Sequence, residues 1–173
     1  MENKFTKFIW IMKEIQLTQG KVALVDDEDY EYLNQFKWQA NKNGNKFYAK
    51  RSITVYQGKQ KTILMHRFIT KNINPKMHTD HLNGNGLDNR KINLRICTNS
   101  QNAMNQSKQI NNKSGYKGVS YYKNSINKKW MATIKLNNIK IYLGLFIDPK
   151  DAASAYNAAA IKFYGEFAKL NEI

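Results

Sequence analysis

Asp80 and His81 stand side by side in the sequence, and Asn102 follows them further along the same Asn-rich stretch. The Asp80 carboxylate and the Asn102 side-chain carbonyl are oxygen ligands of the kind that Mg²⁺ or Mn²⁺ takes. An imidazole next to such a ligand can remove a proton from water, which makes His81 a candidate general base. Arg90 or Arg95 could hold a neighbouring phosphate with its planar fork. The combination predicts metal-dependent hydrolysis of a phosphodiester bond.

Short secondary-structure elements must bring these residues together. Residues 77–81 are typical of a strand, residues 83–86 of a turn, and residues 94–98 of a returning strand. Thr98 followed three residues later by Gln101 is a capping box, which predicts that a helix begins there. We therefore expect Asp80 and His81 at the end of the first strand, with Asn102 facing them from the helix.

Other interpretations of this segment are weaker. A calcium hand that began at Asp80 would have Leu82 as its third residue and Lys91 as its twelfth, where a bidentate glutamate is required. A plain Asn-rich turn accounts for the loop, but not for the Asp-His pair or the capped helix. A lone histidine is more often structural than catalytic, and we interpret His66 and His78 in that way.

The charge of the chain predicts a polyanionic partner. It carries 28 basic and 13 acidic residues, a net charge of +15, and each lysine or arginine placed on a phosphate releases a condensed counterion. Residues 61–113 are the most basic, with nine basic residues against two acidic ones, Asp80 and Asp88. A carboxylate in such surroundings is expected either to pair with arginine or to bind a cation.

Cysteine content and hydropathy indicate where the protein works. Cys97 is the single cysteine, which excludes an internal disulfide and any zinc site with several cysteines. The apolar run over residues 8–12 is too short for a signal-peptide core or a membrane span. We expect a soluble, cytoplasmic protein without a membrane partner, acting in the host cytoplasm if a phage encodes it.

Turn signals divide the rest of the N-terminal half into small α and β elements. This region contains no further catalytic constellation, so we interpret it as a scaffold or a DNA-contacting arm. The predicted elements are a hairpin of residues 13–17 and 21–25, a helix from Asp26 to Phe36, a hairpin of residues 37–40 and 46–49, and a strand pair around Gln57-Gly58.

The C-terminal part has a different pattern. Three β-like runs, residues 116–122, 129–136 and 139–146, precede a predicted helix from Asp151 to Tyr164. We expect a three-stranded sheet with this helix packed across it. The residues predicted to face the sheet are Ala152, Ala153, Ala155, Tyr156, Ala159, Ala160 and Phe163. Lys117 and Lys135 lie in different predicted strands, where alternation places both on the side opposite the helix.

Residues 13–105 resemble the HNH homing endonucleases of phages and mobile introns. The pattern consists of D-H-L-N-G-N, then D-N-R, N-L-R, T and Q-N-x-x-N, with Leu64-Met65-His66-Arg67 upstream. The resemblance implies a ββα-metal nuclease core, with His81 as general base and Asp80 and Asn102 as metal ligands. It implies that Asn93 holds the two strands and the histidine in place. Asn102 stands where many of these enzymes have a final histidine, which favours Mg²⁺ or Mn²⁺ over zinc.

Residues 115–171 resemble the DNA-binding domain of the plant APETALA/ethylene-response factors. The resemblance is carried by Y-K-G-V, W-x-A-x-I, Y-L-G-x-F, D-A-A-x-A-Y-x-x-A-A, and the segment from Gly165 through Ala168 to Asn171. It implies a three-stranded sheet laid into the major groove of double-stranded DNA. The residues that would face DNA are Lys117, Ser120, Tyr122, Thr133, Lys135, Lys140 and Tyr142. Lysine at sites where the family commonly has arginine leaves the base preference open.

Together these features predict an α+β protein in which an N-terminal α+β region leads into a ββα-metal core (HNH, His-Me finger). A three-stranded antiparallel sheet packed on one helix follows. The predicted divisions are an extension over residues 1–12, a nuclease domain over 13–106 with its core at 77–105, a linker over 107–115, and a DNA-binding domain over 116–173.

The predicted function is that of a site-specific homing endonuclease that nicks or cleaves double-stranded DNA as a monomer, a dimer being the alternative. A non-catalytic DNA-binding transcriptional regulator with a vestigial nuclease core is the competing hypothesis. An RNA-binding protein would need glycine-aromatic strand motifs, which are absent from the sequence.

Overall fold

The computed structural model describes residues 12–127 and 129–173. This part of the chain begins with a β-hairpin. Strands β1 (Met12–Gln16) and β2 (Val22–Asp26) pair antiparallel, with Ile15 opposite Ala23. Ile15 and Ala23 are buried while their strand neighbours are more exposed, as alternation requires. The first predicted hairpin is thus confirmed. The predicted extension over residues 1–12 lies outside the described residues except for Met12, which begins β1.

A short helix and a second sheet follow. Helix α1 (Asp27–Leu33) has three acidic residues in its first turn. Their negative charges interact favourably with the positive end of the helix dipole, which stabilises the helix. It ends three residues before the predicted Phe36. The strands β3 (Gln39–Asn43), β4 (Lys46–Thr54) and β5 (Gln60–Leu64) form an antiparallel sheet in that order. Both predicted strand pairs are confirmed, and helix α2 (Met65–Ile69) follows β5 directly.

The core beneath these elements combines residues of both sheets and both helices. Trp38 is 2% exposed, and its indole nitrogen donates to the carbonyl of Leu33 at the end of α1. Because the indole N–H has a partner, the large ring is buried without leaving a hydrogen-bond donor unsatisfied. The other buried members are Ile15, Leu17, Ala23, Val25, Leu33, Ala40, Ala49 and Met65.

The strand-turn-strand segment forms as the sequence predicts. Strand β6 (His78–His81) pairs antiparallel with β7 (Leu94–Cys97). Helix α3 (Asn99–Met104) begins with the predicted capping box, in which Thr98 and Gln101 bond each other's backbone nitrogens. The chain divides into two compact units, Met1–Cys97 and Thr98–Ile173, so β6 and β7 belong to the first and α3 to the second. The ββα-metal core itself stays a prediction.

The second unit contains the predicted sheet on a helix. Strands β8 (Val119–Tyr121), β9 (Trp130–Leu136) and β10 (Ile139–Phe146) are antiparallel with β9 in the centre, and α4 (Pro149–Tyr164) packs on one face. Ala152, Ala153 and Ala160 are fully buried, since small side chains let a helix approach a sheet closely. Gly118 packs so closely that a methyl group there would overlap the Tyr156 ring.

The segment predicted as a linker, residues 107–115, contains no strand or helix. Asn112 organises it: its side-chain oxygen accepts from the backbone of Ser114 and Gly115, and its amide nitrogen donates to the Tyr116 carbonyl. The predicted domain boundaries stay predictions. Among the described residues, no helix has both the length and the apolar character needed to cross a membrane.

Candidate active site

Asp80 and His81 end strand β6, directly opposite Arg95 and Leu94 of β7. Asp80 is 7% exposed and His81 5% exposed. Burying an ionised carboxylate is costly unless a partner compensates its charge. The charge and orientation of the two side chains therefore depend on the residues that contact them.

Arg95 compensates the charge of Asp80. Its Nε and Nη2 lie 3.1 Å and 2.9 Å from the same carboxylate oxygen, Oδ2. The side chains of this ion pair are 12% and 8% exposed, so water screens the interaction little. The Asp80 carboxylate in this basic stretch is thus paired with arginine. Arg95 holds the carboxylate in one orientation, and the predicted contact of Arg95 with a phosphate stays a prediction.

Asn89 holds the imidazole of His81. The distance from His81 Nε2 to Asn89 Oδ1 is 3.3 Å, and Asn89 is completely buried. In the tautomer that this contact favours, Nε2 carries the proton and donates it to the amide oxygen, which leaves the lone pair on Nδ1. Asn89 Nδ2 in turn donates to the Leu87 carbonyl, which fixes the orientation of the amide. Sequence reasoning did not select Asn89, although it is the middle residue of the D-N-R motif.

Burial lowers the pKa of His81 below its usual range, and the positive charge of Lys46 acts in the same direction. Opposing these effects, the hydrogen bond that His81 donates to Asn89 and the charges of Asp80 and Asp88 raise the pKa. Burial is the largest effect, so the ring is neutral near pH 7. A neutral imidazole can accept a proton, which is the requirement for a general base.

Asn93 ties the loop after His81 to the start of β7. Its Oδ1 accepts from the Asn83 backbone nitrogen at 2.9 Å, and its Nδ2 donates to the Asp88 carbonyl at 2.7 Å. The backbone of Leu82 donates to the Asn93 carbonyl at 2.9 Å. Three hydrogen bonds thus fix both ends of the loop against one buried residue. The role that the resemblance implies for Asn93, holding the histidine in place, stays a prediction.

Arg90 is occupied by the second acidic residue of this region. Its Nε and Nη2 form a bidentate pair with Asp88 at 2.7 Å and 2.6 Å, and Asn83 Nδ2 also donates to Asp88 at 2.8 Å. The Arg90 guanidinium lowers the pKa of the Asp88 carboxyl below its usual range. Asp88, like Asp80, is therefore paired with arginine. The predicted phosphate contact of Arg90 also stays a prediction.

His66 lies edge-on against His81, at a distance of 5.0 Å between ring centroids, and Tyr48 lies 5.8 Å from the same His81 ring. His66 is 6% exposed, and burial lowers its pKa to about 3. Its Nδ1 has no hydrogen-bond partner in the described part of the chain. The sequence pattern indicated a structural role for His66 and no role for Tyr48. Their contacts with His81 join residues that are distant in sequence, so local sequence patterns could not predict these contacts.

An acidic cluster lies where β2 ends and α1 begins. Within residues 12–127 and 129–173, it is the one group of three or more His, Cys, Asp or Glu side chains that could hold a metal. It consists of Asp26, Glu28 and Asp29. Lys91 already occupies it: the Lys91 backbone nitrogen donates to Asp26 at 2.7 Å, and the ammonium lies 2.6 Å from Glu28 and 3.2 Å from Asp29. The cluster thus links α1 to the turn before β7.

Asn102, the second predicted metal ligand, lies on the half-buried part of α3. Its backbone nitrogen donates to the carbonyl of Thr98 at 2.9 Å, which places it in the first turn of the helix. Its predicted role as a metal ligand stays a prediction. A carboxylate with an amide oxygen is a donor set that suits Mg²⁺ or Mn²⁺.

The chain is 30% identical over 160 residues to an uncharacterized HNH endonuclease of Acanthamoeba polyphaga mimivirus. The match covers 90% of this chain and 77% of the relative. The chain belongs to the HNH endonuclease family. No family model and no solved structure matches it. Family membership supports a nuclease function, and the catalytic role of the buried Asp-His pair stays a prediction.

The predicted DNA-facing residues of the C-terminal sheet fall into two groups. Lys140 lies opposite Lys135 and Tyr142 opposite Thr133 in the register of β9 and β10. These residues alternate with buried Ile134 and Ala132, so they lie on the face away from α4. Ser120 of β8 is paired with Met131 and shares this face. Five of the seven predicted residues therefore form one surface.

Lys117 and Tyr122 lie outside the strands. Lys117 precedes β8, so the prediction that it belongs to a strand is wrong, and its ammonium donates to the Met104 carbonyl at 2.5 Å. Burial, with a smaller effect from Lys169, lowers the pKa of Lys117 to about 8. Tyr122 follows β8 and donates its backbone nitrogen to Lys129 at 2.7 Å. Lys117 still lines a groove of about 960 Å³ that Lys135 and Lys140 share.

Proposed function

We propose that this chain is a divalent-metal-dependent DNA endonuclease whose cleavage centre is Asp80-His81. The observation that carries the proposal is the His81 imidazole, which is buried beside Asp80 and held at Nε2 by Asn89. Such a ring offers Nδ1 as a base of fixed direction next to a carboxylate. Family membership supplies the reaction class.

In the proposed reaction, His81 takes a proton from a water molecule as the water oxygen forms a bond to phosphorus. The phosphorus bond to the leaving sugar oxygen breaks, and that oxygen is protonated from solvent. Asp80 and Asn102 would hold a Mg²⁺ or Mn²⁺ ion, which when bound stabilises negative charge on the phosphate. Arg95 keeps the Asp80 carboxylate in position, and Asn93 keeps the loop after His81 closed.

The C-terminal unit is the proposed DNA grip, of the APETALA/ethylene-response-factor type. A sheet with Lys135, Lys140, Thr133 and Tyr142 on its open face presents cations and hydrogen-bonding groups to a duplex. Site-specific cleavage of the homing type follows if this face selects the sequence. One cleavage centre in each chain favours a monomer that nicks one strand of the duplex.

The test is nicking of supercoiled plasmid that carries a mapped target site. We expect relaxation with Mg²⁺ or Mn²⁺, and none with excess chelator. Intact plasmid under every metal condition, together with specific binding, would instead support a DNA-binding transcriptional regulator that has lost nuclease activity.

A further inference from the structure

A lysine on the β3-β4 hairpin lies next to the loop that follows His81. A methyl group on the Gly84 Cα would lie 3.7 Å from Nζ of Lys46. The strand that begins at Lys46 is therefore a second wall of the candidate site, one that the sequence did not connect with it.

Alternation along β4 explains why Lys46 points to this side. Residues two apart on a strand share a face, and Tyr48 places its ring 5.8 Å from that of His81. Phe47, between them, packs instead on the hydrophobic core. Lys46 and Tyr48 thus lie on the face of the sheet that adjoins Asp80-His81.

Lys46 differs from the neighbouring cations in having no ion pair with a carboxylate, as far as the described residues extend. Arg90 and Arg95 are paired with Asp88 and Asp80, and Lys91 is paired with α1. Lys46 is half-buried, and a lysine without an anionic partner can bind an anionic ligand without breaking an ion pair within the protein. Lysine binds phosphate as a compact point charge with three donors.

We propose that Nζ of Lys46 binds a phosphate oxygen of the DNA backbone next to the bond that is cut. The inference rests on the proposed function, since it gives the cleavage centre a phosphate contact from a lysine that, unlike Arg90 and Arg95, has no carboxylate partner among the described residues. It also assigns the β3-β4 hairpin to substrate binding.

The test compares Lys46→Ala and Lys46→Arg with Lys42→Ala. Lys42 is an exposed lysine of the same hairpin, but it pairs with Phe47 and so lies on the other face. Binding of a short duplex containing the mapped site is measured across salt concentrations in chelator. Loss of one phosphate contact should reduce the slope of log K against log salt by about 0.9. We expect that reduction in Lys46→Ala, and slopes near that of wild type in Lys46→Arg and Lys42→Ala.

Single-turnover cleavage with Mn²⁺ completes the test. We expect Lys46→Ala to cut about 100-fold more slowly than Lys42→Ala, because the phosphate is no longer held in place. A salt slope in Lys46→Ala equal to that in Lys42→Ala overturns the inference, whatever the cleavage rate. A wild-type protein that binds but does not cut would instead overturn the proposed endonuclease, so the two failures are distinguishable.

Discussion

Nε2 of His81 lies 3.3 Å from Oδ1 of Asn89, an amide that is itself completely buried. The contact gives Nε2 a partner within the protein, and in the tautomer that it favours the lone pair lies on Nδ1. A general base must present its lone pair in a fixed direction. The account of this site therefore depends on Asn89 as well as on the residues that the sequence singled out.

Replacing Asn89 by alanine should slow cleavage without weakening DNA binding. Losing the partner that orients a reactive imidazole reduces activity by about 10- to 100-fold. The measurement is the single-turnover rate on a mapped duplex, with affinity measured separately in chelator. Asn85, an exposed residue of the same loop, provides the control. Equal rates in Asn89→Ala and Asn85→Ala would contradict the orienting role.

Removing Arg95 should destabilise the fold because it leaves the buried Asp80 carboxylate without its ion-pair partner. The variant Arg95→Ala is expected to lose about 3–5 kcal/mol of the free energy of unfolding. The double variant Asp80→Asn with Arg95→Met should lose less than Arg95→Ala, since no buried charge is left unpaired. Urea denaturation measures both. A double variant less stable than Arg95→Ala would show that the ion pair is not the source of the effect.

Burial of His66 should lower the free energy of unfolding as the pH falls. Its pKa in the folded protein is about 3, below the value of about 6.5 for an unfolded chain. Between those two pH values the unfolded chain binds a proton that the folded protein does not bind, so stability decreases as pH falls. From pH 6.5 to 4 this contribution amounts to about 3 kcal/mol.

The variant His66→Phe keeps an aromatic ring and removes the titration. We expect its stability to fall less steeply than that of wild type over the same pH range, as measured by urea denaturation. Parallel curves for the two proteins would mean that His66 is protonated in the folded state at an ordinary pH.

The open face of the C-terminal sheet should carry part of the affinity for DNA. Lys135→Ala and Lys140→Ala are each expected to reduce the salt slope of binding by about 1. Lys162 provides a control, because it is an exposed lysine of α4, the helix on the opposite side of the sheet. Binding titrations at several salt concentrations measure the slopes. If Lys162→Ala changes the slope as much as Lys135→Ala does, the open face has no special role.

Local sequence signals predicted the elements of this protein well. The hairpin of β1 and β2, the capping box at Thr98 and the sheet beneath α4 each depend on turn residues, capping residues or alternation within a short stretch. The position of His81 at the end of β6 follows from the same local logic. Residues close in sequence fix such features, whatever the rest of the chain does.

Contacts between distant elements could not be predicted in this way. The edge-on contact of His66 with His81 and the approach of Lys46 to Gly84 depend on how α2 and the β3-β4 hairpin pack on β6. The expectation that each acidic residue would find arginine or a cation was correct in kind, but the choice of Arg95 for Asp80 required the register of β6 and β7. The course of the chain around Lys117, which precedes β8, depended on contacts with Met104 and Asn171.

The most direct test of the central claim is the cleavage rate of His81→Ala on a mapped duplex with Mn²⁺, alongside wild type. Removing a general base should slow cleavage by about 10²- to 10⁴-fold, while binding in chelator stays unchanged because His81 is buried. That result would support phosphodiester hydrolysis at Asp80-His81. Cleavage by His81→Ala at the rate of wild type would contradict it and place the reaction elsewhere in the chain.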